Sequence, residues 1–107
     1  MVNYQKVCGL IGLANKAGKV VAGTDACIQE IEKRSIKIMF LANDAADRTK
    51  KIFKEKCKEF NIQIYEELSI NEISNSIGKV NKAIIGIKDK GFAEAIIKII
   101  NGGVVIG

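Results

Sequence analysis

Residues 18–42 read GKVVAGTDACIQEIEKRSIKIMFLA, and the division of this stretch into elements decides the fold. The run KVVAG is long enough only for a short strand. Thr24 can cap a helix over DACIQEIEKR, in which Cys27 and Ile31 fall on one face. The following IKIMFLA is apolar on both alternations, the pattern of a strand buried on both faces. A strand, a helix and a buried strand in succession point to an α/β protein.

Outward from this unit the same alternation continues. Upstream, Val7, Leu10, Ile11 and Ala14 recur at i, i+3, i+4 and i+7, which predicts a helix from an Asn3 cap to a stop at Gly18. Downstream, DAADRTKKIFKEKCKEF predicts a helix with Phe53, Cys57 and Phe60 inward and Lys50, Lys51, Lys54, Lys56 and Lys58 outward. IQIYE reads as a short strand, and Ser69 with Glu72 forms a capping box that opens a fourth helix, ended by Gly78. KAIIGI is a second buried strand. GFAEAIIKII is a final helix with Phe92, Ile96 and Ile100 on its core side, and VVIG is a tail or short edge strand. Hairpin signals are too few for an antiparallel meander. The expected fold is a three-layer α/β/α sandwich around a small mixed sheet, in one domain spanning residues 1–107.

At 107 residues the chain can form one core without staples, and 48% hydrophobic with 27% charged residues describes a folded globule. Seventeen basic against twelve acidic residues leave +5, which favours a polyanionic partner. Cys8, Cys27 and Cys57 form no C-x-x-C pair and have no histidine to join them. They read as reduced thiols with no metal. No signal peptide and no apolar run of membrane-spanning length is present, so a cytoplasmic protein is expected.

GLANKAGKV resembles a nucleotide phosphate loop only superficially. Five residues, not four, separate Gly12 from Gly18, Val20 replaces the magnesium-binding hydroxyl, and the preceding segment reads as helix. Catalysis without histidine would fall to other titratable groups, and no paired constellation is legible. Asp44 and Asp47 follow a strand's carboxyl end, but one of them capping the next helix explains them. Lys16 and Lys19 flank the first glycine loop, and Lys79 and Lys82 flank a second, GKVNK. If both loops lie near the start of the second helix, whose free N–H groups favour anions, the cluster suits nucleic acid.

The segments GLIGLANKAGKVVAGTDACIQEIEKRSIKIMFLANDA and ELSINEISNSIGKVNKAIIGIKDKGFAEAI resemble the ribosomal L-seven-Ae / L-thirty-e superfamily of kink-turn RNA-binding proteins. Within it they are most similar to the small bacterial YlxQ/YbxF-like branch. The resemblance runs from about Val7 to Ile100. It implies an α/β/α fold that binds sharply bent RNA containing sheared G·A pairs. The family's Gly-x-Asn-Glu-x-x-Lys motif falls on the second helix start. Gly23 matches, Asp25 stands for Asn, Ala26 for Glu and Gln29 for Lys. A carboxylate can accept from guanine N1 and N2 groups, whereas Ala26 reads nothing and Gln29 is neutral. The family's second element, the loop after the fourth helix, matches at Ile73, Ile77, Gly78 and Lys79, with Ser74 and Ser76 in place of smaller residues. Val80 is placed to touch an extruded base.

The resemblance thus implies a non-enzymatic, ribosomal-protein-like RNA-binding protein without catalytic residues, cofactor or metal. Gly23, Thr24, Asp25 and Gln29 would approach base edges, Lys16, Lys19 and Lys82 phosphates, and Gly78, Lys79 and Val80 the bent strand. The expected partner is structured, kink-turn-like RNA, with ribosomal RNA a candidate, bound by a monomer, with no membrane or DNA partner. Two alternatives remain open: a protein-interaction module with reduced RNA affinity, and a substrate-recognition domain that works with an RNA-modifying enzyme.

Overall fold

A computed structural model describes residues 2–102. The VVIG segment, residues 104–107, lies outside them. In chain order the elements are α1 (Tyr4–Lys16), β1 (Val20–Ala22), α2 (Thr24–Glu32), β2 (Ile38–Leu41), α3 (Asp47–Glu59), β3 (Gln63–Tyr65), α4 (Ile70–Ser76), β4 (Ile84–Ile87) and α5 (Lys90–Ile100). The strands form one mixed sheet in the order β1-β4-β2-β3, antiparallel except for β2 with β3. Helices α1, α4 and α5 pack together on one face, and α2 and α3 lie side by side on the other. The expected α/β/α sandwich with a small mixed sheet is what forms.

The two central strands explain the apolar runs. Every residue of Ile38–Leu41 and Ile84–Ile87 is buried, because helices cover both faces of the strands between which they sit. Alternation sends Phe40 to one face, where its ring stacks on Tyr65 at 5.5 Å between centroids, and Met39 to the other, where its sulfur meets the Cys57 thiol at 3.5 Å. Gly86 pairs with Met39 and Val21, and Ile36 fills the space it leaves. A Cβ at Gly86 would come within 2.6 Å of Ile36 Cδ1. On the opposite layer Gly12 performs a similar task, since a Cβ there would meet the Ser76 carbonyl at 3.0 Å. α1 and α4 therefore touch backbone to backbone.

Local signals set most of the ends. Asn3 caps α1 through the Lys6 N–H, and Ser69 and Glu72 form the reciprocal capping box of α4. Gly18 and Gly78 take left-handed conformations, φ 73° and 65°, just past α1 and α4, where glycine carries no Cβ penalty. Two expectations need correction. Thr24 does not cap α2. It is the first helical residue, and the cap position falls on Gly23, which has no side chain to offer. Neither aspartate caps α3, whose cap position is Ala46. Asp47 sits in the first turn, where its charge complements the helix dipole. Asp44 instead reaches across to accept from the Ile70 N–H of α4 at 2.8 Å. In α5 the deepest residues are Ala93 and Ile96, with Phe92 and Ile100 only half-buried against the core.

Candidate nucleic-acid interface

Gly23 stands where β1 ends and α2 begins, at φ 96° and ψ 156°, a conformation essentially reserved for glycine. Its N–H donates to the Ile84 carbonyl at 3.0 Å, and its own carbonyl receives the Cys27 N–H. The chain thereby turns into the helix at the sheet's edge without a capping side chain. The N–H groups of the first turn have no intrahelical acceptor. Thr24, Asp25, Ala26 and Gln29 are all exposed around them. A glycine-led helix start of this kind admits a ligand close to the backbone and offers it donors and a favourable dipole.

The loop between α4 and β4 supplies the neighbouring wall. A Cβ added to Gly23 would lie 3.8 Å from Lys82 Nζ, which places that cation directly beside the helix start. Lys82 is held there by its backbone. Its N–H donates to Ser74 Oγ at 2.8 Å, and the same hydroxyl donates to the Lys82 carbonyl. The Lys79 N–H bonds the Ser74 carbonyl at 2.9 Å. Between these ties Gly78 and Asn81 both adopt positive φ, and Lys79, Val80 and Asn81 project into solvent. Val80 is 83% exposed, so this apolar side chain has no partner within the fold.

Lys16 and Lys19 are placed differently from each other. Lys16 ends α1, where Asn15 donates to the Ile77 carbonyl at 3.3 Å, and both Lys16 and Gly78 line the depression between α1 and α4. Lys19 lies at the far end of β1, its carbonyl accepting from Lys88 N–H. Val20–Ala22 separate it from Gly23, roughly 13 Å of extended chain. The structure thus gathers Gly23, Thr24, Asp25, Gln29 and Lys82 about the α2 start, with Gly78, Lys79 and Val80 on the adjoining loop and Lys16 beside Gly78. It does not bring the first loop and Lys19 to that helix start.

None of the three ion pairs among the described residues involves Lys16, Lys19, Lys79 or Lys82. Their charges are left for an external anion. Cys27, beneath the helix start, is different in kind. Burial pushes its thiol up to about 12 against weaker opposing pulls from the Gly86 backbone and then Lys82, so it stays protonated and forms weak hydrogen bonds to the Val21 and Ile84 carbonyls. Cys57 is raised to about 11, also by burial. Both thiols are packing groups. Among the described residues no group of three His, Cys, Asp or Glu side chains could hold a metal ion, and no helix is long and apolar enough to cross a membrane.

Ser74, whose hydroxyl ties down the Lys82 backbone, is the part of this region that the sequence conceals. It is 97% buried, yet it reads as one polar residue in a polar helix. Its spacing from Ile70 and Ile77 was the available signal, since i+4 and i−3 put it on the stripe that faces the core.

A three-layer α/β/α protein that presents a glycine-led helix start beside a short basic loop belongs to a recognisable class. The profile of the ribosomal protein L7Ae/L30e/S12e/Gadd45 family matches residues 5–97, and the chain belongs to that family. It is 42% identical to an RNA-binding protein YlxQ of Enterococcus faecium over 100 residues, which cover 94% of this chain and 96% of that protein. It is 35% identical to the RNA-binding protein YlxQ of Bacillus subtilis (strain 168), over 86% of this chain and 92% of the relative. Among solved structures, a protein of unknown function from Bacillus halodurans C superposes with TM-score 0.85 at 27% identity, covering 90% of this chain and 97% of its own. The Giardia lamblia 15.5kD RNA binding protein shares the fold at TM-score 0.78, with 12% identity, 92% of this chain and 85% of that chain covered. The superfamily and branch read from the sequence are those found.

Proposed function

We propose that the protein is a non-enzymatic, cytoplasmic RNA-binding protein that acts as a single domain on bent, internal-loop RNA of the kink-turn kind, with ribosomal RNA a candidate. The observation that carries this reading is the uncapped α2 start with Lys82 Nζ beside Gly23. The names of the two YlxQ relatives support RNA as the partner.

In this reading Gly23 lets an RNA strand approach the backbone, and Thr24, Asp25 and Gln29 meet base edges. Asp25 is suited to a guanine, because a carboxylate accepts from both the N1 and N2 groups on one edge. Lys82, Lys79 and Lys16 meet phosphates, and Val80 packs on an unstacked base. Cations position the strand, while the single acid among them discriminates.

The test compares two RNAs by fluorescence anisotropy: an internal loop with tandem G·A pairs, and the same RNA with Watson–Crick pairs instead. The wild-type chain should prefer the first. Asp25→Ala should lower that preference by about 5–150-fold, the equivalent of one base-edge contact. Lys82→Ala should weaken binding to both RNAs and reduce the salt slope by about one unit. Equal wild-type affinity for the two RNAs would overturn the kink-turn reading.

A further inference from the structure

We propose that the outward face of α3 is a second phosphate-binding surface, which holds the backbone of a duplex stem flanking the loop that α2 reads. The inference rests on the RNA-binding function proposed above and extends it to a surface outside the candidate interface.

α3 carries six basic residues against Asp47, Glu55 and Glu59, so +3 of the chain's +5 sits on thirteen residues. Arg48, Lys51, Lys54 and Lys58 fall at i, i+3, i+6 and i+10, one stripe about 15 Å long, and all four are exposed. Lys54 is paired with Glu66 at 3.2 Å, and Lys56, off the stripe, with Glu32 at 3.0 Å. Arg48, Lys51 and Lys58 enter none of the ion pairs among the described residues. Like charges three and four residues apart weaken a helix, so this arrangement costs stability unless an external anion neutralises it.

The stripe's position connects it to the candidate interface. β2 runs antiparallel to β4, so its end at Leu41 lies beside Ile84, and the Ala42 N–H bonds the Ala83 carbonyl. α3 therefore follows a strand that ends at the same end of the sheet as the strand before α2. The two helices run side by side, cross-linked by Lys56 and Glu32. Packed helices sit about 8–10 Å apart, so the Arg48 end of the stripe is one helix width from the α2 start. Among the described residues the large hydrophobic side chains that stand exposed, Leu13 and Val80, are both off α3. Charge without an exposed large apolar side chain suits phosphates in a regular stem rather than an apolar protein surface.

The experiment pairs the G·A internal-loop RNA carrying 5-base-pair stems with the same loop carrying 15-base-pair stems. The probe protein is Arg48→Gln/Lys51→Gln/Lys58→Gln. Wild type should bind the long-stem RNA about tenfold or more tightly than the short. The triple variant should lose that gain and two to three units of the long-stem salt slope, while binding the short-stem RNA unchanged. A triple Lys and Arg interchange at the same positions, which keeps the charge, should restore long-stem affinity. Equal wild-type affinity for both stems, or a variant that matches wild type on the long stem, would overturn this inference and leave the proposed function standing. Equal losses on both RNAs, or loss of binding to anionic phosphatidylglycerol vesicles in place of RNA, would overturn it too. Wild-type indifference to the G·A pairs would overturn the proposed function instead.

Discussion

Helices α2 and α3 follow strands that finish at the same end of the sheet, and they run together across one face, yet their exposed surfaces differ in kind. α2 presents Thr24, Asp25, Ala26, Gln29 and Glu32, a polar surface with acids and no cation of its own, and it opens on an uncapped turn. α3 presents a cationic stripe on a helix whose inner face is reduced to Phe53, Cys57 and half-buried Ile52. Hydrogen-bonding groups on α2 can distinguish bases, and point charges on α3 can only attract phosphates. In the proposed reading α2 carries selectivity and α3 only attraction, each helix seated by a few apolar side chains.

The largest expected effect comes from unseating one helix. Phe53 is fully buried under α3, and Phe53→Ala should cost about 3–5 kcal/mol, read as a lower urea midpoint. In a variant still folded at low temperature, the stripe should loosen before the α2 start does, and hydrogen exchange along Asp47–Glu59 would show it. Faster exchange in α2 than in α3 would break the proposed independence. A smaller effect, confined to the other helix, is expected of Gly23→Ala. A Cβ at φ 96° should cost about 1–3 kcal/mol in strain, measured by thermal unfolding, and should weaken G·A selectivity more than overall affinity.

The last effect is confined to alkaline pH, where it treats the two helices alike, since each buries one thiol. Cys27 and Cys57 are raised to about 12 and about 11 from an unfolded value near 9. Below pH 9 both states keep their protons, and stability is unaffected. Above it the unfolded chain ionises first and binds fewer protons, so stability falls as pH rises from about 9 towards 12. Cys27→Ala/Cys57→Ala, whatever its packing cost, should flatten that decline in urea titrations at successive pH values. Alkylation of native protein at pH 7.5 should mark half-buried Cys8 and spare the other two.

What could be read in the chain divides by the range of the interaction. The Ser69–Glu72 box, the Asn3 cap and the glycines after α1 and α4 depend on neighbours within a few residues, and their residues announce them. The two buried strands were legible as unbroken apolar runs, and the alternation of helices and strands carried the layer architecture. Asp44 was not legible, because its partner Ile70 is 26 residues away and nothing local distinguishes the two caps. Thr24 misled for the opposite reason. A good capping residue stood next to a glycine whose conformation began the helix one position early. The basic loops illustrate the limit for the candidate site. Lys82 and Lys19 look equivalent in sequence, and only the β1–β4 register sends one to the α2 start and the other to the far edge.

That register also bears on the order in which the molecule assembles. β4, the last strand along the chain, lies between β1 and β2, so the sheet cannot close until residues 84–87 insert between partners more than forty and sixty positions upstream. Closing such distant contacts is the slow part of folding. The bond from Gly23 to Ile84 and the approach of Lys82 to Gly23 both depend on that insertion. A nascent chain that has made α1 through α3 already displays its lysines but lacks the discriminating surface. On the function proposed above, a chain in synthesis would hold RNA indiscriminately first, and selectively only once β4 is in place.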